Sequence, residues 1–166
     1  MEVYEAIEKR ISVRKFKPDS ISDEILQKIL HAGTLAPNAF NSQPWEFIII
    51  KDQDLKEKLI EMRAHIPRQK EALSTAPVIL VVCYYKEHGV DAVASAYTCI
   101  ENMLLAATDE GLGAVTLTFH GKKIKRILKI PKGIDVAAVI PIGYPAEIPV
   151  KPPRIPINEK IHLNTW

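Results

Sequence analysis

Three observations predict a mixed fold of helices and strands. Phe47-Ile48-Ile49-Ile50 and the run Val78 to Tyr85 are unbroken, β-branched and aromatic-rich stretches, each too short for a stable helix, and read as strands, the first buried on both faces and the second central. Apolar residues elsewhere recur at helical spacing, most clearly Ile25, Leu26, Ile29 and Leu30, and again from Asp91 to Glu110. Hydrophobic residues make up 47% and charged residues 25% of 166, which is ordinary globular composition and the length of one domain spanning 1–166.

The elements follow in order. Val3 to Arg10 reads as a short helix with Val3, Ala6 and Ile7 on one face, and residues 11–21 as a polar, basic connection. Ser22 is an N-cap for a helix ending near Gly33. Residues 35–45 carry Pro37, Pro44, two Asn and a Ser, and form no regular element. After the strand at 47–50, Asp52 caps a helix through Leu55, Leu59 and Ile60, and a short helix covers Arg68 to Leu73. Pro77 precedes the central strand at 78–85. The helix at 91–110, about 30 Å long at 1.5 Å per residue, is rich in small residues and apolar around most of its circumference. Such a helix belongs at the centre of the fold or in a subunit interface. Gly111-Leu112-Gly113 stops it. Ala114 to Phe119 reads as a strand, Lys122 to Leu128 as a basic helix and Val136 to Ile142 as the last strand. Five of the twelve prolines fall in residues 145–156, so 145–166 is an extended arm. Its Ile148, Val150, Ile155, Ile157, Ile161, Leu163 and Trp166 suit a folded surface, its own or another subunit's, better than a frayed end.

Charge and composition exclude several classes of function. Lys+Arg 22 against Asp+Glu 20 is too balanced for nucleic-acid binding by bulk charge, although a local basic cluster can still hold a phosphate. No apolar stretch is long enough to span a membrane. Cys83 and Cys99 sit in apolar elements and read as buried, inert thiols, and two cysteines make no disulfide framework, so a reducing, cytoplasmic setting is expected. The five histidines show no ligand spacing, and no metal is expected.

Two clusters remain. In Arg10-Ile11-Ser12-Val13-Arg14, alternation sends Arg10, Ser12 and Arg14 to one side of an extended segment. Two guanidinium groups flanking a hydroxyl fit an oxyanion-binding strip, and equally a solvated basic edge. In Pro37-Asn38-Ala39-Phe40-Asn41-Ser42-Gln43-Pro44-Trp45, amide and hydroxyl donors stand between rigid prolines ahead of a strand. Such a loop can bind a planar heterocycle offering C=O and N–H, or simply tie itself together with Asx turns.

Together, at this spacing, the two clusters resemble the nitroreductase family of FMN-dependent oxidoreductases. The family opens with a helix followed by Arg-x-Ser-x-Arg/Lys, and some 25 residues later carries Ala-Pro-Ser-x-x-Asn-x-Gln-Pro-Trp and a strand. Here these segments are Arg10–Arg14 and Ala36–Trp45. Gly111-Leu112-Gly113 after a long helix, Gly143-Tyr144-Pro145 and Pro153-Arg154 fit as well. Ile11 stands where the family often has Arg or His, and Asn38 where it often has Ser.

The resemblance implies an α+β, nitroreductase-like fold: a mostly antiparallel sheet wrapped by helices, with the arm exchanged between subunits of a homodimer and FMN at the interface. It implies that Arg10 binds the FMN phosphate, Ser12 the ribityl or phosphate region, and Arg14 the pyrimidine edge. Pro37, Asn38, Ala39 and Asn41 would come from the other subunit. Arg154 would add a second phosphate contact, and the turn around Thr116 and Leu117 would pass near the ring. The implied activity is a ping-pong transfer from NADH or NADPH through flavin N5 to a nitroaromatic, quinone or similar small-molecule acceptor, with no catalytic side chain. Reductive dehalogenation, flavin modification and flavin binding without turnover are the alternatives, and residues 62–75 are the one stretch that could serve as a substrate lid. The chain is short for the family.

Overall fold

The computed structural model describes residues 1–166. Four strands form one antiparallel sheet in the order β1-β2-β4-β3: β1 is Trp45–Ile50, β2 Val78–Tyr85, β3 Gly113–Ala114 and β4 Ile134–Gly143. Six α-helices cover it: α1 Val3–Lys9, α2 Asp23–Thr34, α3 Gln53–Glu61, α4 Pro67–Thr75, α5 Gly89–Asp109 and α6 Lys122–Ile127. This is the α+β class expected, with helices on both faces.

β2 shows how the layers form. Val78, Leu80 and Val82 point into a core built with Leu26 and Ile29 of α2 and Ala96, Cys99 and Met103 of α5. Ile79, Val81 and Cys83 point the other way, into a second core with Leu59 of α3, Leu73 of α4 and Ile124 of α6. A strand buried on both faces has no polar side, which is why its sequence is continuous rather than alternating.

The helix starts follow the sequence. Ser22 Oγ accepts from Ile25 N at 3.3 Å, and Asp52 Oδ1 accepts from Leu55 N at 2.8 Å. α2 ends at Thr34, near Gly33 as expected. Gly33 itself sits at the crossing with α5, where a Cβ would stand 2.7 Å from Met103 Cγ and 2.9 Å from Cys99 Sγ.

Two strand expectations are corrected. Phe47–Ile50 belongs to the longer β1, and β1 is an edge strand whose Glu46 and Ile49 are exposed, so it is not buried on both faces. Trp45 and Phe47 still pack on the first core and Ile48 and Ile50 on the second, so its apolar run serves both cores while the edge leaves Glu46 and Ile49 in water. Residues 114–119 do not form a continuous strand. β3 has two residues, and Leu117 pairs with Val139 as an isolated bridge. The break falls opposite Pro141 of β4: Val115 N donates to Pro141 O at 3.3 Å, and proline has no N–H to return the bond.

The arm is extended, as expected, apart from a 3-10 turn at Ile157–Lys160. It begins against its own chain, where Phe16 bridges Pro145, Ala146 N donates to Lys15 O at 2.9 Å and Lys151 Nζ donates to the Glu8 carbonyl. All seven of its large apolar side chains are exposed, from Ile155 at 57% to Trp166 at 100%.

Candidate functional site

The Arg10–Arg14 segment runs beside β3 as the sequence alternation requires. Ser12 forms a parallel bridge with Ala114, and Val13 N donates to Ala114 O at 3.0 Å. Val13 is 2% exposed and belongs to the second core. Its neighbours Ser12 and Arg14 therefore turn outward, and Arg10 shares their side. The approach is close enough to demand glycine opposite, because a Cβ on Gly113 would stand 2.5 Å from Val13 Cγ2.

This outward side is the wall of a cavity of about 620 Å³. Arg10, Ser12 and Arg14 line it, and the arm crosses it and contributes Arg154. Four residues separated by up to 144 positions thus line one cavity. Four lining charges were not anticipated: Glu147 and Lys151 from the arm, and Arg68 and Glu71 from α4. Lys151 stands three residues before Arg154 and could have been read from that spacing. Nothing local marks Arg68 or Glu71, because their place depends on how α4 packs.

The cavity is strongly cationic. Arg10, Arg14, Arg68, Lys151 and Arg154 face Glu71 and Glu147. Arg10 Nε lies 3.6 Å from Glu101 Oε1, and Glu147 lies 3.9 Å from Lys15, so both acids near the strip are loosely held at the surface. Arg14 donates to the Ser12 carbonyl at 3.3 Å, which holds its guanidinium against the strip. Arg68, Glu71 and Arg154 make no ion pair. The donor set, guanidinium forks beside a hydroxyl, matches the phosphate and carbonyl oxygens of a flavin mononucleotide.

The second cluster stands apart. Within one chain, Pro37, Asn38 and Ala39 line a shallow surface recess with Ser95 and Thr98 of α5, which shares no lining residue with the arginine cavity. Thr98 Oγ1 donates to Pro37 O at 3.1 Å and fixes the loop to the helix. Asn38 Oδ1 accepts from Gln43 N at 2.8 Å while its Nδ2 donates to Ala36 O at 3.2 Å, so the loop is tied by its own Asx contacts. Phe40, Asn41 and Gln43 all adopt positive φ, at 55°, 51° and 44°, and Phe40 is 99% exposed. A bulky aromatic held in the left-handed region with its ring in water is strained, and such strain gathers where a surface is built for a partner. Asn41 lies on the same loop.

Thr116 and Leu117 line neither cavity. Leu117 is 4% exposed and packed in the second core, and its backbone N–H and C=O are both bonded to Val139. The cysteines are buried, and burial pushes the thiols up, to about 11 for Cys83 and about 12 for Cys99. No group of three or more His, Cys, Asp or Glu side chains is placed to hold a metal ion. No helix is long and apolar enough to cross a membrane.

The Nitroreductase family profile matches residues 7–144. The chain belongs to the nitroreductase family. It is 32% identical, over 100% of its own length and 88% of the relative's, to a Methanothermobacter thermautotrophicus protein that carries the provisional name NADH dehydrogenase/NAD(P)H nitroreductase. It is also 26% identical to the iodotyrosine deiodinase of Thermotoga neapolitana, covering 99% of the chain and 98% of that protein. Among solved structures, an iodotyrosine deiodinase bound to FMN and 3-iodo-L-tyrosine superimposes with a TM-score of 0.88 at 26% identity, over 99% of this chain and 100% of that one. A provisional nitroreductase of Desulfovibrio desulfuricans in complex with FMN gives 0.82 at 29% identity, over 100% and 98%. Nitroreductase-family membership thus accounts for the sheet, the order of helices and the two loop clusters together.

Proposed function

We propose that this nitroreductase-family chain is an FMN-dependent NAD(P)H oxidoreductase that works as a homodimer. The observation that carries the reading is the single cavity shared by Arg10, Ser12, Arg14 and Arg154. Arg10 and Arg154 would hold the phosphate, Ser12 the ribityl end, and Arg14 the pyrimidine edge. When bound, FMN would supply two-electron transfer from NADH or NADPH to a nitroaromatic or quinone acceptor in ping-pong order. The chain's own part is to bind and orient. Val13 and Gly113 fix the strip against the sheet, the arm brings Arg154, and Arg14 sets a positive charge where reduction accumulates negative charge. Pro37, Asn38 and Ala39, on the loop that also carries Asn41, line a recess that shares no residue with the strip's cavity. They would serve the flavin of the other subunit. The exposed apolar side chains Val3, Tyr4 and Ile7 on α1 and Val90 and Tyr97 on α5 suit the surface such a dimer buries.

The purified protein is expected to bind FMN about one per chain and to prefer it to riboflavin. Each charge-assisted phosphate contact contributes on the order of 1.5–3 kcal/mol. Anaerobic NADH or NADPH should bleach the bound flavin, and a quinone should restore its colour. Equal affinity for riboflavin would remove the phosphate role of Arg10 and Arg154, and colour that NAD(P)H does not bleach would leave a binder without turnover. Arg14→Ala should lower the flavin reduction potential and slow reduction more than it weakens FMN binding. Spectroelectrochemical titration checks this, and an unchanged potential would take Arg14 off the pyrimidine edge.

One observation favours a second reading, reductive dehalogenation of an aromatic amino acid. Arg68 and Glu71 stand one turn apart on α4, within the stretch expected as a lid, and both face the cavity without partners. Opposite free charges at that spacing match a carboxylate and an ammonium group. In such a reaction an aryl carbon–hydrogen bond replaces the carbon–halogen bond, two electrons and a proton are consumed, and halide leaves. Halide release from a 3-halotyrosine, lost in Arg68→Ala while quinone reduction persists, would select this reading. Quinone turnover with no halide release selects the first.

A further inference from the structure

The end of α4 that carries Arg68 to the cavity is the less secure end of that helix. Burial holds only its far half: Ala72 and Leu73 are both 0% exposed, and Thr75 Oγ1 accepts from Phe16 N at 3.3 Å. In the first turn none of Pro67, Arg68, Gln69 and Lys70 is buried. The N-cap is Ile66, whose side chain offers nothing to the free N–H groups. Arg68 lines the cavity and has no ion pair to fix it. A helix end of this kind frays unless the chain leading into it is held from outside.

Arg63, in the connection between α3 and α4, supplies that hold. Its Cζ lies 3.8 Å from the centroid of the Phe119 ring, so the guanidinium stacks on it. Nη2 donates to Thr118 O at 2.7 Å, and Nη1 donates to Met62 O at 3.3 Å. Phe119 is 0% exposed and packed in the second core, which makes the platform rigid. Thr118 lies in the stretch where pairing with β4 is broken, and its carbonyl is taken by Arg63 instead of by a strand. Nε is buried without an acceptor, an unmet donor that the stacking and the two hydrogen bonds must outweigh.

The backbone passes this hold into α4. Ile66 N donates to Arg63 O at 2.9 Å, and Ile66 O accepts from Gln69 N at 3.0 Å and from Lys70 N at 2.9 Å. Arg68 lies inside the turn that those bonds close. Arg63 itself does not line the cavity.

We propose that Arg63 is a positioning residue for the flavin cavity, pinning the α3–α4 connection to Thr118 and Phe119 and so holding Arg68 at the cavity wall. The task needs a planar fork, which stacks on a ring and donates within its own plane, and a lysine does only one of the two well. The role of Arg68 beside a flavin rests on the FMN reading of the cavity, whereas the anchor does not.

The test compares Arg63→Met, Arg63→Lys and Arg68→Ala in the full-length protein, with and without FMN. Arg63→Met keeps an apolar chain over Phe119 and removes the donors, so the second core should persist. Amide hydrogen exchange at Ile66, Gln69 and Lys70 should rise by about tenfold or more. Ala76, whose N–H donates to Ala72 O at the far end of α4, should exchange as in the wild type. Arg63→Lys should recover part of the protection. FMN affinity should fall by about tenfold in Arg63→Met, as in Arg68→Ala. At saturating FMN the flavin reduction potential should shift down in both, because a positive charge has left the cavity. The double variant should be no worse than Arg68→Ala alone, since both changes remove the same charge from the same place. The proposal is overturned by unchanged exchange at the three amides, or by a rise at Ala76 equal to theirs, which would mean general loosening. Additive losses in the double variant, or wild-type affinity and potential in Arg68→Ala, would overturn it equally. A wild-type protein that binds no FMN would defeat the FMN reading, and exchange at the three amides would still decide the anchor.

Discussion

Removing residues 146–166 is expected to yield a protein that neither dimerises nor holds FMN. The arm leaves all seven of its large apolar side chains in water when only its own chain is present. Its contacts there are few and polar: the Lys151–Glu8 carbonyl bond, the Ala146–Lys15 bond and a 3.9 Å ion pair from Glu147. Surface contacts of this kind contribute little, whereas each large apolar group moved out of water contributes about 1.5–3 kcal/mol. In the proposed dimer that stabilisation comes from a second copy. Loss of the arm also removes Arg154 and Lys151 from the cavity. Sedimentation of the truncated chain with and without FMN checks both consequences. A truncated protein that remains dimeric and yellow would show that neither the interface nor the phosphate site uses the arm.

Gly113→Ala is expected to have the second-largest effect. The added Cβ would stand 2.5 Å from Val13 Cγ2 and 2.7 Å from Val13 Cβ. Val13 is buried and β-branched, so it has no alternative rotamer to retreat into. The segment carrying Arg10, Ser12 and Arg14 must then lift from β3 and weaken the Val13–Ala114 hydrogen bond. Overpacking of this kind costs about 1–3 kcal/mol, or about 3–10 °C in melting temperature for a chain of this size. FMN affinity should fall with it, because the strip is displaced as a unit. The double variant Gly113→Ala/Val13→Ala should recover part of both, and the coupling between the sites measures the clash. Wild-type melting and wild-type FMN affinity in Gly113→Ala would show that the strip does not depend on this approach.

The sequence made legible whatever rests on nearest-neighbour chemistry. The Ser22 and Asp52 caps, the outward turn of Arg10, Ser12 and Arg14, and the central place of β2 follow from residue type and period alone. What escaped depends on tertiary packing. Whether β1 is central or at an edge is invisible in Phe-Ile-Ile-Ile, because both places reward the same residues. The broken pairing at 115–119 is caused by Pro141, 26 positions from Val115, and shows only once register is known. Arg68 and Glu71 were unremarkable helix charges until α4 was seen against the strip. The Asn38 loop was legible as a cluster. Its opening into a recess other than the arginine cavity is a fact of three-dimensional placement, and the proposed dimer would bring it to the flavin of the other subunit.

The buried thiols bear on durability. A protein that hands electrons to small acceptors in air also hands some to oxygen, and peroxide then forms beside its own side chains. Peroxide attacks thiolate, not thiol. With Cys83 at about 11 and Cys99 at about 12, roughly one molecule in ten thousand or fewer presents a thiolate at neutral pH, and both sulfurs are shut inside the cores. The chain therefore offers its own by-product almost nothing to oxidise at cysteine, and should keep its activity through many aerobic turnovers without a reductant to repair it.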